Sequence, residues 1–221
     1  MTGTFIAGYG AELVRRTLQH VVMVTGATML ATVIGLVLGI SISAHERAAR
    51  WVIGAASVLF TIPSLALFAL LVVVLAPIGQ GTGNVPAVTA LTLYSILPIV
   101  RNTWTALRQV DPSMVQVAQG MGMTSRQALL RVKLPLGLPM IMAGIRHAAV
   151  MDVGMGTIAT LIGGGGLGYF VFEGIARADR SMVLAGTLVI ALLGLGVNAV
   201  LLEAENRLVP GRHHGRWRTR D

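Results

Sequence analysis

Long apolar runs separated by short polar stretches are the dominant pattern of this chain. Residues 21–44, 51–100 and 181–202 contain no charged side chain. A helix needs about 20 apolar residues to cross the roughly 30 Å hydrocarbon layer, so the run 51–100 is long enough for two crossings. The stretch "APIGQGTGNVP" at 76–86 is rich in Gly and Pro, which predicts a turn between those two crossings.

A further run, residues 134–162, is mostly apolar but contains Arg146, His147 and Asp152.

Composition supports a membrane protein, because 54% of the residues are hydrophobic and only 12% are charged, against about 25% in soluble domains. We therefore predict an all-α membrane protein with one transmembrane domain over residues 20–206. Its five predicted spans are about 21–44, 52–76, 86–104, 134–162 and 181–203.

The two ends of the chain are predicted to lie outside this domain. Residues 1–19 contain two arginines and a glutamate where a signal peptide needs an apolar core, so we expect an amphipathic lead-in at the outer surface. Residues 207–221 carry five arginines and are predicted to form a basic cytoplasmic tail.

The distribution of Lys and Arg predicts the orientation. Twelve of them fall in the segments 45–50, 101–133 and 207–221, and only four fall in the segments on the other side of the membrane. Since cytoplasmic loops are enriched in these residues, we expect the N-terminus outside and the C-terminus inside. The net charge of +8 is then explained by the topology and by attraction to the anionic inner leaflet. The basic residues are divided among separate loops without an aromatic platform, so the charge does not indicate nucleic-acid binding.

Several chemistries are excluded by composition. The chain has no cysteine and therefore no disulfide or thiolate metal site. Its only lysine, Lys133, follows Val132, so there is no phosphate-binding P-loop. The run "GGGGLG" at 163–168 formally fits a dinucleotide-binding pattern, but it follows a membrane span instead of a strand, which favours a loop that permits close backbone approach.

The polar segment 111–133 is predicted to form a helical hairpin between two spans. Asp111 followed by Pro112 is typical of a helix start, because the aspartate caps the first turn and proline needs no N–H there. Met114, Ala118 and Met121 then recur at helical spacing and form one narrow apolar stripe.

Glycines and a second cap complete the predicted hairpin. Gly120 and Gly122 end the first helix, and Thr124 with Gln127 forms a capping box that starts the second. We expect this second helix to stop before the Leu-Pro pair at 134–135, since proline disfavours helical geometry in the residue before it. Helices this short are marginal alone, so they either pack against their own spans or dock on a partner.

The spacing within this hairpin resembles the EAA loop of permease subunits in bacterial ATP-binding-cassette (ABC) importers, whose pattern is E-A-A-x3-G-x9-I-x-L-P. The residues in register are Gln116, Val117, Ala118, Gly122, Val132, Leu134 and Pro135. This chain departs from the pattern in having Gln and Val where the family usually has Glu and Ala. A charge-assisted bond to the ATPase is then replaced by a weaker neutral one.

Other stretches resemble the permeases of glycine betaine, choline and related osmoprotectant importers. They are "TIPSLALFALL" at 61–71, "LPIVRNT" at 97–103, "VDP" at 110–112, "MAGIRHA" at 142–148 and "IGGGGLG" at 162–168. The resemblance implies a type I importer core in the bacterial cytoplasmic membrane. It also implies that the chain is a transport subunit and not an enzyme.

The same resemblance implies the partners. They are a second copy or a related permease, a pair of cytoplasmic ATPase subunits that bind ATP and Mg²⁺, an extracytoplasmic binding protein, and membrane lipid. No cofactor is expected in this chain. The residues expected to couple it to the ATPase are Gln116, Val117, Ala118, Gly122, Thr124, Leu134 and Pro135.

Asp152 is the leading candidate for a group in the translocation path. It lies near the middle of the fourth predicted span, where an ionisable side chain is costly and therefore a functional candidate. It could contact a cationic solute, pair with Arg146, or bond a polar group on another span. Six residues separate Asp152 from Arg146, about 120° around a helix and 9 Å along it, so a direct pair needs long side-chain reach.

Prolines and glycines supply the remaining candidates. Pro63 and Pro98 lie within spans and predict kinks. The glycines of the predicted outer end form either an outer gate or a close-packed helix crossing. Those singled out are Gly154, Gly156, Gly163 and Gly165.

Two other function classes and a different solute stay open. An ion-coupled secondary transporter needs repeated halves and ion-binding carboxyls at mid-membrane, where Asp152 is the only acid expected. A membrane enzyme needs a polar cluster, for which only Arg146, His147 and Asp152 are available. A permease for another small polar solute, such as an amino acid, is the third alternative. Aromatics are only 5% of the chain, so we expect cation–π recognition of betaine-like solutes in a separate binding protein.

Overall fold

Helices account for all the regular structure in the part of the chain that the computed structural model describes, the backbone of residues 2–208 and the side chains of residues 8–208. The predicted basic tail, from residue 209 onward, lies outside the described residues. The α-helices are α1 Thr2–Ile42, α2 Glu46–Thr61, α3 Ser64–Leu75, α4 Asn84–Arg108, α5 Pro112–Gly120, α6 Ser125–Ala128, α7 Leu134–Met155, α8 Gly168–Ala176 and α9 Arg180–Leu208. Short 3₁₀ turns occupy Ala76–Ile78 and Gly156–Ile162, and a π turn occupies Leu129–Lys133.

Four helical segments are long and apolar enough to cross a membrane. They lie within α1, α4, the continuous run Ser125–Ile162, and α9. The helices α2 and α3 form a fifth candidate only if the pair counts as one span, because they are bent by 98° at a short break. The all-helical class is thus confirmed, and the orientation stays a prediction. No helix boundary occurs near residue 19, since α1 runs unbroken from the lead-in into the first span.

The helix α4 is the centre of the bundle and packs against α1, α2, α3 and α7. Its side chains Leu91, Ile99 and Val100 are completely buried. Contact with α1 is close because glycines face α4 there: a Cβ atom at Gly39 would lie 2.6 Å from Thr103 Cβ. Small residues at such crossings are how membrane helices gain dispersion contacts without a hydrophobic driving force.

We expect Gly39→Ala to destabilise the protein, because the added methyl group would overlap Thr103 and approach the Val100 carbonyl oxygen to 3.2 Å. Overpacking of this kind costs about 1–3 kcal/mol. Thermal unfolding in detergent should therefore occur at a lower temperature. The matched control is Gly26→Ala on the same helix, where nothing lies within 4 Å of the new Cβ. Equal melting temperatures for the two variants would contradict the packing described.

The break between α2 and α3 is held by a tertiary contact. Pro63 follows Ile62, whose extended backbone (φ −66°, ψ 128°) is typical of a residue before proline. The hydroxyl of Tyr94 on α4 donates to the Ile62 carbonyl oxygen, and the Phe60 ring packs edge-on against Tyr94 with centroids 5.6 Å apart. The kink predicted at Pro63 is confirmed. At Pro98 the helix α4 continues as one element.

Candidate functional sites: the hairpin and the intramembrane polar contacts

The first helix of the hairpin, α5, begins as the sequence predicts. The Ser113 backbone N–H donates to Asp111 Oδ1 at 2.8 Å, and this bond holds the pKa of Asp111 below its ordinary value by stabilising the carboxylate. Pro112 occupies the first turn, where its missing N–H is harmless. The helix ends at Gly120, and Gly122 takes the left-handed conformation (φ +87°) that glycine adopts without strain.

The second helix of the hairpin starts at the predicted capping box. Gln127 N–H donates to Thr124 Oγ1 at 3.3 Å, and Thr124 N–H donates to Gln127 Oε1 at 2.8 Å. This prediction is confirmed.

The predicted stop before residues 134–135 is wrong, because α6 continues through the π turn into α7. In an α-helix the ring of Pro135 would clash with the carbonyl group four residues earlier. The π turn, in which Leu134 N–H donates to the Leu129 carbonyl oxygen, widens the backbone just before the proline and lets the helix continue.

The hairpin presents apolar side chains to its surroundings. Met114, Val117 and Met121 are 52%, 62% and 69% exposed, whereas Ala118 is buried. They border an open hollow of about 420 Å³, whose lining also includes Pro135 and Val132. Exposed apolar groups on a short, polar-capped hairpin are typical of a docking surface.

Neighbouring residues of the resemblance motif face different hollows. Val117 borders the hollow just described, whereas Gln116 is exposed at a second hollow of about 550 Å³, together with Arg108 and Lys133. Of the other predicted coupling residues, Ala118 and Pro135 line the first hollow, Gly122 and Thr124 form the turn, and Leu134 is half-buried at the start of α7.

Asp152 ties three helices together inside the bundle. Its side chain is completely buried, Oδ2 accepts from Thr28 Oγ1 of α1 at 2.8 Å, and Oδ1 accepts from Ser95 Oγ of α4 at 2.7 Å. Among the alternatives left open by the sequence, the structure therefore supports a bond to polar groups on other spans. No ion pair of Asp152 occurs among residues 8–208.

Arg146 faces a different helix. Its guanidinium lies 3.4 Å from Glu205 Oε2 and 3.4 Å from Asn198 Oδ1, both on α9, and Glu205 is almost completely buried. A direct pair between Arg146 and Asp152 is therefore absent, as their separation around the helix predicts. The contacts of Arg146 attach α9 to α7.

His20 is a buried polar residue that the sequence did not reveal. Its Nε2 lies 2.9 Å from the Val153 carbonyl oxygen, and the Leu167 backbone N–H donates to Nδ1 at 3.3 Å. These partners assign the proton to Nε2. The sequence around His20 does not indicate these hydrogen bonds, because the backbone groups that it contacts lie more than 130 residues away along the chain.

Three of the four glycine candidates lie around His20 and the neighbouring loops. Gly156 approaches the His20 ring, Gly165 packs against Gln19 and donates its N–H to Asn84 Oδ1 at 3.0 Å, and Gly163 (φ +81°) lies beside residues 82–83. Gly154 is exposed and has open space around it. Close packing thus accounts for Gly156 and Gly165, and the left-handed backbone conformation accounts for Gly163. Pro63 lies apart, at the break before α3.

Residues 31–209 match the protein family described as "Binding-protein-dependent transport system inner membrane component". Three relatives are similar over more than nine tenths of both chains. They are the osmoprotectant import permease protein OsmW of Salmonella typhimurium (46% identical, covering 92% of this chain and 94% of OsmW), the choline transport system permease protein OpuBB of Bacillus subtilis (35%, 93% and 93%) and the carnitine transport permease protein OpuCB of Listeria monocytogenes (38%, 94% and 93%).

Solved structures share the fold. An inward-facing conformation of the MetNI methionine ABC transporter superposes with a TM-score of 0.81 at 20% identity, covering 89% of this chain and 95% of that one. An amino acid ABC transporter with histidines gives a TM-score of 0.71 at 18% identity, covering 91% and 96%. The family match, the full-length relatives and the shared fold lead to one conclusion: this chain belongs to the inner membrane components of binding-protein-dependent transport systems.

Proposed function

We propose that this chain is the permease subunit of an ATP-driven importer for quaternary-ammonium osmoprotectants such as glycine betaine, choline and carnitine. The observation that carries the proposal is that osmoprotectant, choline and carnitine permeases are 35–46% identical to it over nearly its full length. As a multi-pass inner membrane subunit it supplies the route across the membrane. Substrate capture belongs to a separate extracytoplasmic binding protein. ATP and Mg²⁺ belong to a separate pair of ATPase subunits.

The hairpin α5–α6 couples this chain to the ATPase in our proposal. The exposed Met114, Val117 and Met121 supply apolar surface for a groove on the ATPase, and the two caps hold the hairpin in shape before it docks. ATP-driven closure of the ATPase pair then moves two such hairpins, one from each permease, and the attached spans follow as rigid bodies. The second permease is another copy of this chain or a related one.

Reconstitution tests this function. The chain is placed in proteoliposomes with its cognate ATPase and binding protein, and ATP hydrolysis is measured with glycine betaine, choline, carnitine and, for comparison, methionine. We expect at least one of the quaternary-ammonium compounds to stimulate hydrolysis and drive uptake. Stimulation by the amino acid alone would contradict the substrate assignment. Uptake that persists without ATP in an ion gradient would instead indicate a secondary transporter.

The substitution Gln116→Glu is expected to strengthen the contact with the ATPase. It introduces the charge that the EAA pattern has at this position, and a charged hydrogen bond contributes about 1 kcal/mol more than a neutral one, or roughly fivefold in affinity. The measurement is the salt concentration at which the ATPase dissociates from the immobilised permease. Gln119→Glu is the control, because this exposed residue on the same helix lines neither hollow. Equal salt resistance in the two variants would contradict a role for residue 116.

A further inference from the structure

His147 lies on an exposed face of α7 that no other helix covers within residues 8–208. Its neighbour Arg146 points to α9, while Gly144, one turn away, packs against Asn102 of α4. His147, Val150 and Gly154 are all exposed, and their spacing of three and four residues places them on one face. Within residues 8–208 the His147 side chain has no hydrogen bond or ion pair.

The adjoining side of α4 is also open, and it is polar. The helix α3 packs on the half of α4 nearer Asn84, through Leu67, Phe68 and Leu71. Beyond Tyr94, the side chains at positions 101, 105 and 108 recur at helical spacing, and Arg101 and Arg108 are exposed. Asn102, half-buried beside them, donates its amide to the Pro98 carbonyl oxygen at 2.7 Å, which fixes the orientation of its side chain.

His147 and Asn102 lie well away from the ends of α7 and α4. The contacts of Gly144 with Asn102 and of Asp152 with Ser95 place His147 at the level of Ile99. Ile99 is about 22 Å from the Asn84 end of α4 and about 14 Å from the Arg108 end. An ionisable side chain facing lipid at such a depth is costly, and in membrane proteins it faces the protein interior or a water-filled cavity.

The opposite faces of the bundle differ in chemistry. On α9 the exposed residues Leu188, Leu195 and Val200 are apolar, as are Val22 and Val33 on α1. Lipid or a neighbouring permease suits these faces. Water suits the exposed polar side chains of α4 and α7.

We propose that Arg101, Asn102 and His147, which we call the polar face, line the aqueous route through the membrane and bind the carboxylate of a passing zwitterionic solute. The Arg101 guanidinium, the His147 imidazole and the Asn102 amide N–H that is not bonded to Pro98 can donate hydrogen bonds, which suits a carboxylate. The positive charge of Arg101 repels the trimethylammonium end. Glycine betaine and carnitine carry a carboxylate, whereas choline carries a hydroxyl group. The polar face therefore discriminates among these solutes, an inference that rests on the proposed function.

The chain is suited to a direct test because it contains no cysteine. His147→Cys and Arg101→Cys, each in the complete transporter in membrane vesicles, are exposed on both sides to a trimethylammonium-bearing methanethiosulfonate. This reagent reacts only with thiolates in contact with water, and the mass shift of the permease chain measures the rate. Val200→Cys is the matched control, since it is 68% exposed and lies at the level of Arg146.

We expect both polar-face cysteines to react at least tenfold faster than the Val200→Cys control. Rates within twofold of the control at both positions would overturn the assignment of the route. The use of two positions keeps the test decisive if one variant fails to assemble.

A transport measurement tests the carboxylate contact. His147→Ala should reduce glycine betaine uptake about tenfold more than choline uptake, and His147→Gln, which keeps a donor, should restore most of the loss. Equal losses for both solutes, or no loss, would overturn the carboxylate assignment. If the wild-type complex carries neither solute, the proposed function fails, and the labelling rates still decide where the aqueous route lies.

Discussion

Val117→Asp is expected to abolish solute-stimulated ATP hydrolysis and uptake, lowering both at least tenfold, while the chain still inserts and folds. Val117 is 62% exposed on α5, so its replacement removes little packing within the chain. In a docked complex the same position would place an unpaired charge in an apolar groove. A loss of about 2 kcal/mol or more in the docking free energy follows from the burial of such a group.

The measurement compares three properties of the reconstituted complex: co-purification of the ATPase, stimulated hydrolysis and uptake. Gln119→Asp introduces the same charge on the same short helix, at a position that lines neither hollow, and should leave all three near wild type. Near-normal stimulated hydrolysis in Val117→Asp would show that this side of α5 does not meet the ATPase. The thermal stability of the isolated chain serves as the folding control for both variants.

Asp152→Ala is expected to produce the largest loss of stability of any substitution discussed. It removes the acceptor of two hydroxyl groups, Thr28 Oγ1 and Ser95 Oγ, and leaves both without their partner in a fully buried site. Each lost intramembrane hydrogen bond costs about 1–2 kcal/mol, and the cavity adds to that. We expect the free energy of unfolding to fall by about 3–5 kcal/mol in total, and we expect the transporter to assemble poorly.

Asp152→Asn separates an anchoring role from a role in binding a cation. The amide keeps the size and an oxygen acceptor, and a hydroxyl group can rotate to accept from its NH₂ group. We therefore expect Asp152→Asn to retain most of the stability and most of the uptake. Normal stability combined with lost uptake would instead indicate that the charge of Asp152 contacts the solute. Unfolding temperature and initial uptake rate, measured on the same preparation, distinguish the two outcomes.

Local sequence patterns were sufficient to predict the all-helical class, the first long apolar helix and the hairpin caps. The run of uncharged residues at 21–44 lies within α1, and the capping box of Thr124 and Gln127 forms as predicted. The first depends on the composition of one contiguous stretch, and the second depends on two residues within one helical turn of each other. Interactions between residues close together in the sequence therefore determine these features.

Features that depend on distant partners were not predictable in the same way. The 98° bend at Pro63 is fixed by Tyr94, a residue 32 positions away from the carbonyl group it bonds. His20 binds backbone groups near residues 153 and 167, and Arg146 binds residues on α9. The π turn before Pro135 lets the helix continue past the proline. From the sequence alone, a proline is equally consistent with a helix that ends before it and with a helix that continues through such a turn.

The unbroken path from α6 through the π turn into α7 gives the hairpin a mechanical property that a flexible loop would lack. Ser125 and Asp152 lie on one helical rod, about 40 Å apart along its axis. A continuous hydrogen-bonded helix resists compression along its axis, so a displacement of Ser125 along that axis also displaces Asp152. Thr28 and Ser95 bond to Asp152 at that level, so in the coupling mechanism that we propose a displacement of the hairpin would move α1 and α4 together with α7.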